Sequence, residues 1–205
     1  MKLHTLTFSS NSRKVVAVAR HLNLPLEIVP VDLAQGEQRK PEFLKLNPNG
    51  KIPVLVDGDF VLWESIAIME YLASKKPGTS LWPESPRARA DISRWLCWTV
   101  AHWGPACGLY LWENMIKKMM GMGAADAARL KEGAAAFQQF ATVLDDQLRK
   151  NEYLTGTNLT LADFAAAAWI AYSEPAQMPV APYANIKRWY ARISALPAWR
   201  DSAPS

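Results

Sequence analysis

The chain contains few of the residues that hold metals or form disulfides. It has two cysteines, Cys97 and Cys107, and three histidines among its 205 residues. Because the cysteines stand ten positions apart and form no Cys-x-x-Cys pair, they predict neither a zinc site nor a redox dithiol. Such sparse use of cysteine is typical of a reducing compartment, so we expect a cytoplasmic protein without a metal.

The chain also lacks long runs of one character. No apolar stretch reaches the roughly 20 residues that span a membrane, and the N-terminus lacks an apolar segment long enough for a secretory signal. The formal net charge is +4, and no run of basic residues is interleaved with aromatics. We therefore expect neither a membrane nor a nucleic acid as a partner.

Residues 1–76 carry the strand signals. The length of 205 residues suits one large or two small domains, and the 50% of hydrophobic residues is enough for a sizeable core. The predicted order is strand 2–8, a helix from Ser12, strand 26–33, a short helix at 38–46, strands 53–56 and 60–63, and helix 65–75. A strand–helix–strand unit has parallel strands, whereas Asp57-Gly58 predicts an antiparallel hairpin. The result is an α/β domain with a mixed, thioredoxin-like sheet in the order βαβαββα.

Strand signals end after this region. Residues 77–86 predict a linker because they are rich in proline, glycine and serine, and residues 87–205 predict an all-helical domain. The helices are expected at 87 to about 120, 125–150, 161–172 and 183–195, with a last turn at 197–201. Gly104-Pro105 predicts a kink or break in the first of them. Thr160 with Asp163 predicts a capping box at the third.

One stretch of the first domain resembles a known ligand-binding motif. The chain places Ile52-Pro53 in an apolar run and follows it with Glu64-Ser65 at the start of a predicted helix. This pattern is similar to the glutathione-binding half of the soluble glutathione transferases. The resemblance implies a two-domain glutathione-transferase fold, with reduced glutathione as co-substrate.

The resemblance also implies a role for each residue of the motif. Pro53 follows a cis peptide bond, so that the backbone of Ile52 pairs with the cysteine unit of glutathione. Glu64 accepts a hydrogen bond from the γ-glutamyl amine. Ser65 donates to the γ-glutamyl carboxylate, since the start of a helix favours an anion. Gln38 occupies the loop that faces the glycine carboxylate, and Lys51 is the nearest cation for that group.

The segment after the first strand resembles the thiol-binding segment of the family. A free thiol has a pKa of about 8.5, so an enzyme that uses the thiolate must stabilise it with oriented donors. Ser9, Arg13 and Val15 match the "Ser-x-x-x-Arg-x-Val" pattern of bacterial-type members that use serine. The resemblance therefore assigns the thiol contact to Ser9, with Ser10 as the fallback. The first strand has no tyrosine, which argues against the tyrosine-dependent classes.

Asn11 leaves the assignment open. The bacterial nu class, which works mainly as a glutathione-dependent disulfide reductase, places Thr-x-Asn at this site, and Ser9-Ser10-Asn11 is similar. Gln38 and Lys51 extend this likeness. Asn11 is equally interpretable as a helix N-cap. The sequence does not decide which of Ser9, Ser10, Asn11 and Ser12 contacts the sulfur.

The electrophile is expected against the helix that contains Gly104-Pro105. The candidates are Ser10, His102, Trp103, Ala106 and Tyr110. At least half of the candidates in this helix should belong to the core, since aromatic residues at helical spacing usually pack. His102 is interpretable as a general acid or as a packed histidine.

These patterns favour one function and leave two alternatives. The first is a detoxifying transferase that adds glutathione to small hydrophobic electrophiles. The second is a glutathione-dependent disulfide reductase or peroxidase on the same fold, and the third is a non-catalytic binding protein. The resemblance also implies a homodimer that forms through the long helices after the linker.

Overall fold

The computed structural model describes residues 1–6 and 8–203, and Thr7, in the predicted strand 2–8, lies outside them. The chain forms two compact units. The first contains Met1–Trp82 together with the described residues after Ser194, and the second contains Pro83–Ser194.

The first unit is built on a four-stranded mixed sheet. Its strands are β1 (Lys2–Thr5), β2 (Glu27–Pro30), β3 (Val54–Asp57) and β4 (Phe60–Trp63). They lie in the order β2-β1-β3-β4. β1 pairs with β2 in parallel, and β3 is antiparallel to both β1 and β4. This confirms the predicted crossover unit and hairpin.

Helices cover both faces of this sheet. They are α1 (Ser10–His21), α2 (Pro41–Leu46) and α3 (Ser65–Ser74). α2 buries Phe43 against Val54, which pairs with His4 across the sheet. Because successive residues of a strand point to opposite faces, Leu3 and Thr5 face away from α2. α1 and α3 pack against each other.

A short helix after the second unit completes the first. α10 (Pro197–Arg200) packs on α1. The guanidinium of Arg13 lies 4.5 Å from the centre of the Trp199 ring, and Trp199 is 1% exposed. The residues that follow α9 therefore belong with the sheet, whereas the sequence patterns grouped them with the helices after the linker.

The second unit is entirely helical. Its regular helices are α4 (Pro86–Trp98), α5 (Gly104–Leu111), α6 (Lys117–Met119), α7 (Ala127–Lys150), α8 (Leu161–Ile170) and α9 (Ala184–Ala195). Two wider π-helical turns, Thr99–Trp103 and Trp112–Ile116, join α4 to α5 and α5 to α6. Within the described part of the chain, no helix is long and apolar enough to cross a membrane.

Gly104-Pro105 does not end the helical path. The backbone N–H of Gly104 donates to the carbonyl of Thr99, and the path continues into α5. This wider turn absorbs the missing proline donor, so the predicted kink or break takes the form of a local π-turn. Gly104 is needed here because a Cβ would lie 2.9 Å from the Thr99 carbonyl oxygen and 3.0 Å from the Trp169 ring.

Asp163 anchors the start of α8. Its buried carboxylate accepts hydrogen bonds from the Thr160 N–H (2.9 Å), the Thr160 hydroxyl (3.0 Å), the Leu154 N–H (2.9 Å) and the Trp189 indole N–H (2.9 Å). Burial raises the pKa of Asp163, and these hydrogen bonds oppose the shift. The predicted capping box is confirmed, and it also holds α9 through Trp189.

Candidate functional site

Ser9 stands at the N-cap of α1. Its backbone is extended (φ −79°, ψ 127°), and its carbonyl accepts from the N–H groups of Ser12 (3.0 Å) and Arg13 (2.9 Å). Its hydroxyl makes no capping hydrogen bond. The residue is half-buried, and its hydroxyl stands at the start of a helix without serving as the cap.

The neighbouring polar residues are more deeply buried or are hydrogen-bonded. Ser10 and Ser12 are 5% and 1% exposed. Asn11 lies in the first turn of α1, so the N-cap is Ser9 and not Asn11. The side-chain oxygen of Asn11 accepts a hydrogen bond of 3.4 Å from the hydroxyl of Ser65. The structure thus brings the start of α1 to the start of α3.

The junction of β4 and α3 is held in an uncommon conformation. Glu64 is exposed and has φ 71° and ψ 111°. A positive φ in a residue other than glycine costs on the order of 1–3 kcal/mol, and such strain is concentrated at ligand sites. Ser65, 7% exposed, then opens α3. An exposed carboxylate and a helix N-terminus therefore adjoin each other.

A second loop presents a backbone edge before β3. The Ile52–Pro53 peptide is cis, as expected. The buried side chain of Asn47 donates from its amide nitrogen to the Lys51 carbonyl at 2.6 Å, which fixes the position of this loop. Lys51 itself is exposed.

Gln38 lies beside this loop. Gly50 has φ 59°, and a Cβ there would lie 3.1 Å from the Gln38 carbonyl oxygen, so glycine permits the close approach of the two segments. The side-chain oxygen of Gln38 is buried, and no described residue donates a hydrogen bond to it. An orphaned acceptor next to an exposed lysine suits a polar ligand with both donor and anionic groups.

Lys14 is a residue of this region that the sequence patterns did not single out. Its side chain is 2% exposed. Burial lowers the pKa of Lys14 from its ordinary value of 10.5 to about 7, and the negative charge of Glu64 opposes the shift. The helical spacing could have predicted this burial, because Lys14 stands four residues after Ser10 and four before Val18, on a buried stripe of α1. Next to Arg13, however, it looks like half of an exposed basic pair.

The electrophile candidates of the helical unit fall into two groups. His102 is exposed and stacks on Phe140, with ring centroids 5.0 Å apart. Trp103 is fully buried and donates its indole N–H to the Ala166 carbonyl at 3.2 Å. Ala106 and Tyr110 are 5% and 8% exposed. Their contact with an electrophile stays a prediction.

The groups assembled in the first unit define a class of protein. A hydroxyl at one helix start, a carboxylate beside a second helix start and a fixed backbone edge all belong to one thioredoxin-like sheet. This set of donors and acceptors suits a short peptide with a carboxylate and a thiol. A thioredoxin-like unit of this kind joined to an all-helical unit defines the soluble glutathione-dependent transferases.

Comparison with known proteins identifies the family. The family model "Glutathione S-transferase, N-terminal domain" matches residues 1–74, and "Glutathione S-transferase, C-terminal domain" matches residues 112–197. Glutathione S-transferase 3 of Zea mays is 38% identical over 207 residues, which cover 98% of this chain and 92% of that protein. The chain belongs to the glutathione S-transferase family and is an enzyme of that family.

Solved structures agree with this assignment. Glutathione transferase F7 from Populus trichocarpa has a TM-score of 0.91 and 29% identity, over 98% of this chain and 96% of its own. A theta class glutathione S-transferase from the citrus canker pathogen Xanthomonas axonopodis pv. citri, solved with glutathione bound, has a TM-score of 0.88 and 29% identity. That match covers 100% of this chain and 97% of the bacterial one.

Proposed function

We propose that this chain transfers reduced glutathione to small hydrophobic electrophiles and that the Ser9 hydroxyl donates to the glutathione sulfur. The observation that carries the proposal is the Ser9 hydroxyl itself, which stands at the start of α1 and makes no capping bond. A hydroxyl donor and a helix N-terminus both favour a thiolate over a thiol. Ser10 is less suited because it is 5% exposed.

The rest of the peptide is proposed to lie along the first unit. The Ile52 backbone pairs with the cysteine unit, and Pro53 holds that edge in place. Glu64 and Ser65 take the amine and carboxylate of the γ-glutamyl end. Lys51 and Gln38 take the glycine end. The half-buried position of Ile52 and the exposure of Glu64 and Lys51 leave these groups accessible to such a ligand.

The reaction needs one bond to form and one to break. The sulfur of the thiolate attacks an electrophilic carbon, and a leaving group such as chloride departs with its bonding electrons. The thiol proton passes to solvent before the attack. Ser9 lowers the thiol pKa by donating to the anion, and it stays neutral throughout.

The electrophile is proposed to contact the helical unit at His102, Ala106 and Tyr110. The burial of Trp103 and its hydrogen bond to Ala166 favour a packing role for that residue. We also propose a cytoplasmic location and a homodimer, and sedimentation of the purified protein would test the dimer.

Replacement of Ser9 tests the proposal. A hydrogen bond to a charged group is worth about 1.5–3 kcal/mol, so Ser9→Ala should lower kcat/KM for chlorodinitrobenzene about 10- to 100-fold. The pKa of bound glutathione, followed by thiolate absorbance, should rise in the same variant. Ser10→Ala is the matched control and should change both values little. Equal losses in the two variants, or none in Ser9→Ala, would contradict the assignment.

One observation favours a second function, the reduction of disulfides by glutathione. Because the oxygen of Asn11 accepts from Ser65, its amide NH₂ remains as a further donor near the start of α1. Two donors at one sulfur would suit the exchange of a mixed disulfide. Rates with chlorodinitrobenzene and with hydroxyethyl disulfide, measured side by side, separate the two functions. High reductase activity that Asn11→Ala abolishes, together with negligible conjugation, would make reduction the principal function.

A further inference from the structure

A cavity lies in the first unit, next to the face of the sheet that α1 covers. Its volume is about 280 Å³. Ser12, Val16 and Arg20 line it from α1, and their four-residue spacing places them on one stripe of the helix. Thr5 and Ile28 line it from β1 and β2. The cavity is therefore enclosed between a single face of α1 and the β2 side of the sheet.

The residues after α10 close this cavity. Asp201, Ser202 and Ala203 contribute to its lining. None of Ser9, Asn11, Ser65 or the Lys51 loop takes part. The cavity is thus separate from the proposed glutathione site, and Ser12, which the sequence left as a candidate for the thiol, belongs to this second site.

Two hydroxyls in the lining are buried without a hydrogen-bond partner. Thr5 and Ser12 are each 1% exposed. Among the described residues, nothing hydrogen-bonds to the Thr5 Oγ1 or the Ser12 Oγ. A buried polar group left unpaired costs on the order of 1–3 kcal/mol, which an acceptor oxygen from a ligand would relieve. Both hydroxyls are able to donate to such an oxygen.

Two arginines supply positive charge to the same lining. Arg13 stacks on Trp199 and donates through its Nε to the Ser202 hydroxyl at 3.5 Å, which fixes its direction. Arg20 is exposed, and neither arginine forms an ion pair with any described residue. Asp201 is the one carboxylate of the lining, so its formal charge is +2 − 1 = +1. Guanidinium groups match a carboxylate well because they donate in a planar fork.

The remaining lining residues and the cavity volume determine the apolar part and the size of the ligand. Val16 and Ile28 present aliphatic surface. The volume of about 280 Å³ lies just below the roughly 300–1,000 Å³ of most small-molecule sites, so the ligand must be short. A bare inorganic anion would leave the aliphatic side unfilled, whereas a neutral hydrocarbon would leave the arginines and hydroxyls unused.

We infer that this cavity is a binding site for a small organic acid, a monocarboxylate with a short aliphatic body. The carboxylate meets Arg13, Arg20 and the hydroxyls of Thr5 and Ser12. The aliphatic chain lies against Val16 and Ile28. This inference is independent of the proposed transferase reaction, because it involves neither glutathione nor the residues proposed to hold it.

Titration of the full chain with hexanoate tests the inference. Backbone amide shifts in two-dimensional ¹H–¹⁵N spectra, recorded without glutathione, should change for Thr5, Val16, Ile28 and Ala203 and should saturate. A ligand of this size should bind with a dissociation constant on the order of 1 mM. Hexanol probes the apolar body without the charge, and inorganic phosphate probes the charge without the body. Both should bind at least about tenfold more weakly, since each forfeits one set of contacts.

Three variants and a control identify the groups responsible. Thr5→Val keeps the side-chain shape and removes the hydroxyl, so hexanoate should bind about tenfold more weakly. Arg20→Gln should weaken binding about threefold because Arg20 is exposed. Asp201→Asn should tighten it by removing a like charge. Lys45→Gln removes one charge from α2, outside the lining, and should leave the affinity unchanged. Unaltered thermal unfolding midpoints would show that each variant is folded.

Several results would overturn the inference. These are an absence of saturable shifts at the lining residues, equal binding of hexanol or of phosphate, or an affinity that Thr5→Val and Arg20→Gln leave unchanged. Loss of transferase activity in Ser9→Ala has no bearing on it, because hexanoate binding should persist in that variant.

Discussion

The two units treat buried charge in opposite ways. In the helical unit, the carboxylates of Asp163 and Glu113 are fully enclosed and are surrounded by donors. Glu113 accepts from Lys117 (2.8 Å) and from the Asp126 N–H (2.9 Å), and it forms an ion pair with Arg129 (3.1 Å). In the sheet-containing unit, Lys14 is buried, and no described residue forms an ion pair with it.

This difference distinguishes the carboxylates that stabilise the helical unit from the polar groups of the first unit that lack such partners. Asp163 and Glu113 join elements of the helical unit to one another. The Ser9 hydroxyl makes no capping bond. Among the described residues, the Gln38 side-chain oxygen has no hydrogen-bond partner and the Lys14 side chain forms no ion pair. Substitution of the anchoring carboxylates in the helical unit should therefore lower stability, whereas removal of Lys14 should raise stability at neutral pH and removal of Ser9 should act on binding.

The largest effect is expected from Asp163→Ala. The change leaves the Leu154 and Thr160 N–H groups and the Trp189 indole without their shared acceptor. Each orphaned donor costs on the order of 1–3 kcal/mol, so we expect a loss of about 4 kcal/mol in the free energy of unfolding. Urea titration measures it. Asp146→Ala is the control, since its ion pair with Arg149 is exposed and worth less than about 1 kcal/mol. Similar losses in both variants would contradict the anchoring role.

Lys14→Met should raise the free energy of unfolding at neutral pH, whereas Asp163→Ala lowers it. The native pKa of about 7 lies below the ordinary 10.5, so between these values the unfolded chain holds a proton that the native protein has released. The contribution of Lys14 to stability therefore rises with pH across this window. From pH 7 to pH 9 the wild type should gain about 2 kcal/mol relative to Lys14→Met, which lacks this dependence.

The difference between the two unfolding curves isolates Lys14 from other titrating groups. Lys14→Met should also be the more stable protein at pH 7, since it removes the cost of a buried charge. A pH-independent difference between the proteins would show that Lys14 is not perturbed.

Glu113→Gln should lower stability at neutral pH and have little effect on stability in acid. The hydrogen bonds from Lys117 and the Asp126 N–H lower the pKa of Glu113 below its ordinary 4.5. Its contribution to stability is thus present above pH 4.5 and is lost as the pH falls through the lower native pKa. The wild type should exceed Glu113→Gln in stability at pH 7, and the two should converge in acid. Parallel curves would exclude an ionised Glu113 as the source of the difference.

The smallest effect on stability is expected from Asn11→Ala. Its hydrogen bond with Ser65 is long, at 3.4 Å, and neutral, so we expect a loss below about 1 kcal/mol. The rate with glutathione should fall by a larger proportion if Asn11 serves the ligand. A large loss of stability with unchanged kinetics would place Asn11 with the anchoring residues and would weaken the contrast between the units.

Much of the fold could be predicted from local patterns. β4 and the start of α3 lie where the sequence predicts them, because Asp57-Gly58 and Ser65 are strong local signals. The capping box at Thr160 was equally local. Gly104-Pro105 was harder, because proline removes a donor in any helix, but the close approach of the Trp169 ring that excludes a side chain at position 104 is not visible locally. That contact involves a residue of another helix.

The candidate site could be predicted only in part. The motif around Pro53 and Glu64 marks the region, but the bond between Asn11 and Ser65 joins residues 54 positions apart. Lys14 was missed because its burial depends on tertiary packing, whereas its neighbour Arg13 turns towards Trp199. The cavity beside Thr5 was also missed, since its wall includes residues after α10 that no local pattern assigns to the first unit.

The return of α10 to α1 has a consequence for how the molecule is made. Arg13 and Ser202 meet across 189 positions of sequence. Domains generally fold as units and in order during synthesis. Here the earliest helix to leave the ribosome must wait for nearly the whole chain before its Trp199 partner exists. The sheet can form early, but the first unit is completed last, and the wall of the cavity beside Thr5 is assembled only at that final step.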